Sequence, residues 1–428
     1  MNILYITVQF PVPSETFAAV EIRALQALGA KVAIATLKPR PVDCAPLLRD
    51  RNLADLDIDH NSPLSSLRGL WFGLCNPTFL FYLLKEIARS SGHAKSMALK
   101  SLLLVPRSLD LFNSIRRRKP DIVHLYWGHY PSLTGILVQE FLPGIPVSLS
   151  LSAYDLHSRF GPSITLGRSA PLIFTLAQAN VPALRALGIP KDRIHVVYHG
   201  IDIEEKTTAD RLRSKEGLPA KDGRVVIAER LISLKRTSDS LRVFHKVRDR
   251  YPSATLLILG DGPEKEPLIK LAEDMGLGDA IRFLGHVSHA EVFEHFSAAQ
   301  VFLTMSSTER LPNTVKEAML RDCVCVVSRT VGIEELISNR KSGFIVEQGE
   351  VEAAAAIIVQ SLQNWDDLSG LRAKARHHVI DNFSSRAVAM QRIRIWEKAL
   401  GEKRPGIRAG SSRKPSLLPK LGPGSDPV

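Results

Sequence analysis

Two glutamates, Glu309 and Glu317, stand eight positions apart in the stretch ERLPNTVKE, with a Leu-Pro-Asn turn between them. Pro312 suits the first turn of a helix, where its missing N–H is not needed. Asn313 is a turn former and a good N-cap. TVKEAML then reads as helix, which puts Glu309 at the mouth of the strand QVFLTMSS and Glu317 further along the helix. The start of such a helix offers free N–H groups to an anion. Taken alone, the pair also describes a capped surface helix with two solvated acids.

Two cations occupy a comparable place. Arg230 and Lys235, in RLISLK, follow the strand RVVIAE. At a strand end they suit a diphosphate, the arginine as a fork and the lysine as a point charge. Gly260-Asp261-Gly262-Pro263 directly follows the strand ATLLIL, at the strand end where open parallel sheets bind ligands. The sequence has neither a Gly-x-x-x-x-Gly-Lys loop nor a Gly-x-Gly-x-x-Gly turn, so the usual ATP and NAD signals are missing.

The elements that must position these groups alternate along the chain. NILYITV, KVAIATL, DIVHLYW, VSLSLS and PLIFTLA are short apolar runs separated by helical patterns such as SETFAAVEIRALQALG and SLTGILVQEFL. The second half repeats the scheme with RVVIAE, ATLLILG, AIRFLG, VFLTMS and CVCVVS. Strand–helix alternation with continuous apolar strands predicts parallel sheets covered by helices on both faces. We expect an α/β protein of two such units, over 1–203 and 204–383. A helix over 384–400 is expected to return to the first unit, and a Pro-, Gly-, Ser- and Lys-rich tail over 401–428 to be disordered.

Composition narrows the classes further. The chain has 428 residues, 45% hydrophobic and 23% charged, ordinary for a soluble globular protein with two or three cores. Its four cysteines form neither a disulfide framework nor a paired zinc spacing, and Cys323 and Cys325 alternate on one face of a strand. The apolar start MNILYITVQFP lacks a preceding basic residue and ends on proline, which suits a strand better than a signal peptide. The uncharged stretch Gly69 to Leu84 is too short to span a bilayer as a regular helix.

The net charge of +12 is concentrated in two places. Residues 61–120 hold ten lysines and arginines against Glu86 and Asp110, a net of +8, and 401–428 hold six against two, a net of +4. The first segment also carries Trp71, Phe72, Phe79, Phe81 and Tyr82. Aromatic residues beside basic ones make an interfacial membrane segment, here on an anionic surface. A helix with core aromatics and solvated cations accounts for the same residues. No helix-turn-helix, zinc finger or RNA-binding signature accompanies the charge, so nucleic acid is not expected as a partner.

The order and spacing of the pieces resemble the retaining glycosyltransferases of family 4, of GT-B architecture, in which two Rossmann-like domains face each other across a cleft. The residues that carry this are Arg230-Leu231 with Lys235, LGDGP at 259–263, FLGHV at 283–287, the pair Glu309 and Glu317, GIEELI at 332–337 and SGFIV at 342–346. FPVPSETFAAVEIRAL, DIVHLYWG, SAYDLH and IHVVYHGID resemble the branch that builds exopolysaccharides and other surface glycans. The resemblance spans residue 1 to about 400.

It implies transfer of a sugar from a UDP- or GDP-linked donor to a lipid-linked or saccharide acceptor. The setting would be the cytoplasmic face of a membrane, with no cofactor and no metal. Glu309 would meet the donor sugar and Glu317 the ribose. The backbone around Asn313, Thr314 and Val315 would face the diphosphate, with Gly260 and Gly262 nearby, and His286 would lie toward the base. Arg230 and Lys235 would stabilise the leaving phosphate. DLDID at 55–59 resembles the metal-binding Asp-x-Asp of the other major glycosyltransferase fold, but its place in the chain makes solvated loop acids the expectation.

The chain departs from the pattern at several positions. Glu229 stands where a glycine commonly precedes the arginine, Arg310 where a glycine follows the first glutamate, and Asp322 and Val324 replace a usual Gly-x-Pro. The family's His-Ala-Tyr-Asp reads Ser152-Ala153-Tyr154-Asp155, and Ser152 is expected in the cleft facing Glu309. A catalytically silent glycosyltransferase-like binding subunit and a 2-epimerase of the same fold remain as alternatives.

Overall fold

Apolar β-branched runs form two wholly parallel sheets. The computed structural model describes residues 1–12, 15–90, 95–158, 160–203 and 223–403. The first sheet contains β1 (Asn2–Thr7), β2 (Lys31–Thr36), β3 (Asp57–Asp59), β4 (Ile122–Leu125), β5 (Val147–Ser150), β6 (Leu172–Thr175) and β7 (Ile194–Val196). Its order is β3-β2-β1-β4-β5-β6-β7. The second contains β8 (Arg224–Ala228), β9 (Thr255–Leu259), β10 (Ile281–Gly285), β11 (Val301–Thr304), β12 (Val324–Ser328) and β13 (Phe344–Val346), in the order β10-β9-β8-β11-β12-β13. Strands β4, β5, β6, β11 and β12 are buried at every position, as sheets covered on both faces require.

Helices cover the first sheet: α1 (Thr16–Ala27), α2 (Cys44–Asp50), α3 (Pro63–Cys75), α4 (Pro77–Ser90), α5 (Lys95–Arg118), α6 (Pro131–Phe141), α7 (Ala153–Ser158), α8 (Gly161–Ser169) and α9 (Val181–Ala186). On the second lie α10 (Thr237–Arg250), α11 (Lys265–Asp274), α12 (His289–Ala298), α13 (Asn313–Leu320), α14 (Val351–Gln363) and α15 (Ser369–Phe383). The last helix, α16 (Ser385–Lys403), crosses back. Trp396 is fully buried among Tyr5, His124 and Phe174 of the first sheet, and its indole N–H donates to Ser148 Oγ at 3.1 Å. Arg392 donates to Glu21 at 3.1 Å beneath α1.

Strand order reverses between β1 and β4 in the first sheet, and between β8 and β11 in the second. At such points adjacent loops diverge to opposite faces and leave a crevice at the carboxyl ends of the strands. The domains also touch directly. Glu335 accepts from the backbone N–H groups of Gln178 and Ala179 at 2.6 and 3.0 Å and from the Tyr198 hydroxyl at 3.1 Å. Lys316 donates to the carbonyl of His199 at 3.2 Å, and Arg310 bonds Asn180.

Some local expectations change. Pro312, with φ −60° and ψ 135°, is the N-cap of α13, and Asn313 is its first helical residue. Asp57 to Asp59 form the edge strand β3 instead of a loop, because Ile58 pairs with Ile34. Asp59 is held by Arg107. The segment 61–120 holds three helices. Phe72, Phe79 and Tyr82 belong to the core or pack against it, while Trp71 and Phe81 are exposed. The final helix runs to Lys403, and the rest of the expected disordered tail, 404–428, lies outside the described residues. The four cysteines stand as thiols outside any disulfide, with Cys75 alone exposed. No described helix is long and apolar enough to cross a membrane.

Candidate active site

The second sheet's reversal brings the expected charges together. After β8 the chain passes Glu229 and Arg230 and makes a 3-10 turn over Ser233–Lys235. After β11 it passes Glu309 and enters α13, with Leu311 at φ 54°. Lys235 and Glu309 form an ion pair across this crevice, with side chains 17% and 24% exposed. Burial lowers the Lys235 ammonium from its ordinary range, opposed by the Glu229 carboxylate. Arg230, close enough to oppose that proton as well, is exposed.

Beneath the pair, Glu229 accepts hydrogen bonds from Thr237 and Thr304, each at 2.9 Å. Burial pushes its carboxyl up to about 7, against the pull of Lys235 and of both hydroxyls. The GDG turn lies alongside. A Cβ on Gly260 would come 1.8 Å from the Glu229 carbonyl oxygen, and one on Gly262 2.4 Å from that of Leu231. With φ at 142° and 158° as well, only glycine fits either position. Lys265 and the Gly262 N–H hold the Asp261 carboxyl below its usual range, and His286, exposed just after β10, adds a smaller pull.

No side chain caps α13, so the N–H groups of its first turn at Asn313, Thr314 and Val315 have no side-chain capping partner. Val315 is fully buried, and the Asn313 amide oxygen accepts from Lys316 at 3.1 Å. Glu317 is 8% exposed, and His289 on α12 bonds its carboxylate at 3.1 Å. That contact raises the imidazole's pKa. Glu317 sits in the second turn of α13, eight residues after Glu309, which precedes that helix.

Ser152 follows β5, at the carboxyl end of the first sheet. It is 8% exposed, and its hydroxyl and backbone N–H both go to Asp155, at 3.1 and 2.8 Å. An acid three residues into the helix closes the turn in the manner of a capping box and takes up the hydroxyl. Asp155 also accepts from the N–H of Gly128 and from His129 Nδ1, both at 3.0 Å. His129 and Trp127, the latter at φ 83°, follow β4 and join Gln9, Glu15 and Lys38 around a cavity of about 530 Å³ at the first sheet's reversal. Sequence reasoning missed His129, His289 and Asp155 as site groups. Contacts between residues so far apart leave no local pattern, and only the departure at Glu229 was visible.

Two Rossmann-like domains with charged crevices at their strand-order reversals define the GT-B class of architecture. The comparisons agree. Residues 208–378 match the family model described as glycosyl transferases group 1. The amylovoran biosynthesis glycosyltransferase AmsK of Erwinia amylovora is 25% identical over 422 residues, covering 93% of this chain and 100% of that one. The N-acetyl-alpha-D-glucosaminyl L-malate synthase of Bacillus anthracis is 26% identical over 305 residues, 68% of this chain and 78% of the relative. The crystal structure of HepE from Anabaena in complex with UDP superposes with a TM-score of 0.68 at 18% identity, covering 93% of this chain and all of that one. The chain is thus similar to the group 1 glycosyltransferases over residues 208–378 and, at 25% identity, to AmsK along nearly its whole length.

Proposed function

We propose that the chain transfers a sugar from a nucleotide-sugar donor to a lipid-linked or saccharide acceptor, with retention of configuration, in the assembly of a surface polysaccharide. One observation carries this reading: Lys235 and Glu309 meet at the reversal of the second sheet, beside the uncapped start of α13. As the glycosidic bond breaks, negative charge grows on the leaving diphosphate. Lys235, Arg230 and the first-turn amides at Asn313, Thr314 and Val315 are arranged to stabilise it. Glu309 would release Lys235 to the phosphate and take sugar hydroxyls. Glu317, one turn on, would take the ribose from His289. A structural neighbour solved in complex with UDP supports a nucleoside diphosphate as part of the donor.

The acceptor reading rests on the first domain. The cavity at its reversal is lined by Gln9, Glu15, Lys38, Lys100, Leu103 and His129 among others. Helix α5 supplies Lys100 and Leu103 and continues into an exposed apolar face. Of the fourteen large hydrophobic side chains exposed among the described residues, nine lie on α3, α4 and α5. On α3, Leu67, Leu70, Trp71 and Leu74 recur at helical spacing as an outward stripe. With the basic residues around it, this face would lie on an anionic cytoplasmic membrane surface and admit a lipid-linked acceptor.

The test is donor consumption. UDP- and GDP-sugars incubated with the protein and membrane lipid extracts should release nucleoside diphosphate and label a lipid. The proton coupling constants of the product should show the donor's anomeric configuration. No release with any donor, from protein that binds the nucleotide, would overturn the reading.

A further inference from the structure

Glu229 joins three elements beneath the site. It directly follows β8, Thr237 begins α10, and Thr304 ends β11; both hydroxyls lie 2.9 Å from its carboxylate oxygens. Thr304 in turn lies 3.2 Å from the Ser306 hydroxyl. The charged groups that face Glu229 are Lys235, with Arg230 beside it, and Glu309, reached through the Lys235 ion pair. Glu229 and Glu309 therefore share one half-buried ammonium. A diphosphate drawn to Lys235 and Arg230 adds two negative charges to that balance, and like charges at such range disfavour ionisation.

We propose that Glu229 takes up a proton from solvent when a nucleotide sugar binds, so that donor binding at this site is coupled to protonation of its supporting carboxylate. This rests on the donor reading above. The surroundings accommodate both states. A threonine hydroxyl donates to the carboxylate and accepts from the carboxylic acid, so Thr237 or Thr304 reverses its bond and no hydrogen bond is lost. Burial has already brought this carboxyl to about 7, within reach of a modest added field. Glu229 acts through Lys235 and is a positioning residue. Relieved of one negative neighbour, Lys235 faces the diphosphate with less competition.

The sign follows from linkage. Free Glu229 titrates at about 7 and bound Glu229 higher, so affinity is greatest at low pH and falls as pH rises above 7. Calorimetry with UDP-glucose, and with GDP-mannose as second probe, suits the test because neither diphosphate diester titrates near neutrality. In two buffers of different ionisation enthalpy at pH 7, the wild-type protein should take up roughly half a proton per ligand. Affinity should fall by up to about tenfold per pH unit above that. Glu229→Gln, checked for folding by thermal unfolding, should bind with no uptake and a flat profile. The wild-type buffer comparison decides the matter if that variant does not fold.

Wild-type binding without uptake would overturn the proposal. So would uptake that persists in Glu229→Gln, which would assign the proton to another group of the site. Failure of both probes to bind would instead overturn the donor reading.

Discussion

Lys235 is where charge balance at the proposed reaction centre is decided, and its loss should be felt mainly in turnover. Lys235→Ala or Arg230→Ala should lower the rate of donor consumption by about two orders of magnitude, as loss of a preorganised charge stabiliser does. A near-normal rate in folded Lys235→Ala protein would remove it from the site. Lys316 makes a different prediction. It is 1% exposed, bonded to His199 and Asn313, and burial lowers it to about 7. The unfolded chain binds this proton up to the ordinary lysine range while the folded one does not, so stability should rise with pH from about 7 to about 10. Denaturant unfolding of wild type and Lys316→Met across that range should show the variant lacking this part of the slope. Lys235, Arg230 and Glu309 were legible in the sequence because each closely follows an apolar run, and strand ends are where ligands bind. The bond from Ser152 to Asp155 was not foreseen, although the acid three residues on was in view. His289 meeting Glu317 left no local trace, since the contact depends on how α12 packs beside α13.

At the scale of elements, α3 to α5 carry two faces with opposite demands. Phe72 and Leu109 face the core, while Trp71, Leu74 and Phe81 face outward at 70%, 61% and 68% exposure. The sequence left membrane surface and core aromatics as rivals, and the helices divide the aromatics between a core and an outer face. Composition cannot make that division, because it depends on which stripe of each helix meets the sheet. Co-sedimentation with anionic liposomes should fall as salt rises, each basic residue near the surface contributing about 1 kcal/mol. Trp71→Ser with Phe81→Ser should weaken it further at fixed salt. Equal binding to neutral and anionic liposomes would count against the charged face. Strand positions were legible because buried parallel strands are continuous apolar runs. The short edge strand β3 was not, since DID is polar and pairs only through its neighbour.

For the whole molecule, Glu335 ties one domain to the other by accepting two backbone N–H groups and a tyrosine hydroxyl. Bonds of this charge-assisted kind contribute about 1.5–3 kcal/mol each when enclosed, less at a part-exposed seam. Glu335→Ala should loosen the closed arrangement. Small-angle scattering should show a larger radius of gyration, and KM for the donor should rise more than kcat falls. An unchanged scattering curve and KM would mean the clamp does not set the cleft.

The return of α16 makes the second domain an insertion within the first. The chain crosses between them twice, and the two crossings run side by side where Ile201 bridges Ser384. During synthesis the first sheet must therefore wait for the final helix before its core is complete. Until then the pocket that Trp396 fills, between Tyr5, His124 and Phe174, stands open. Loss of such a side chain costs about 3–5 kcal/mol. A fragment ending at residue 203 should be poorly soluble, and a separately supplied 385–403 peptide should improve its recovery. The paired crossings also give any opening of the cleft a double tether in place of a single hinge, so the domains can rock apart along one axis while resisting twist.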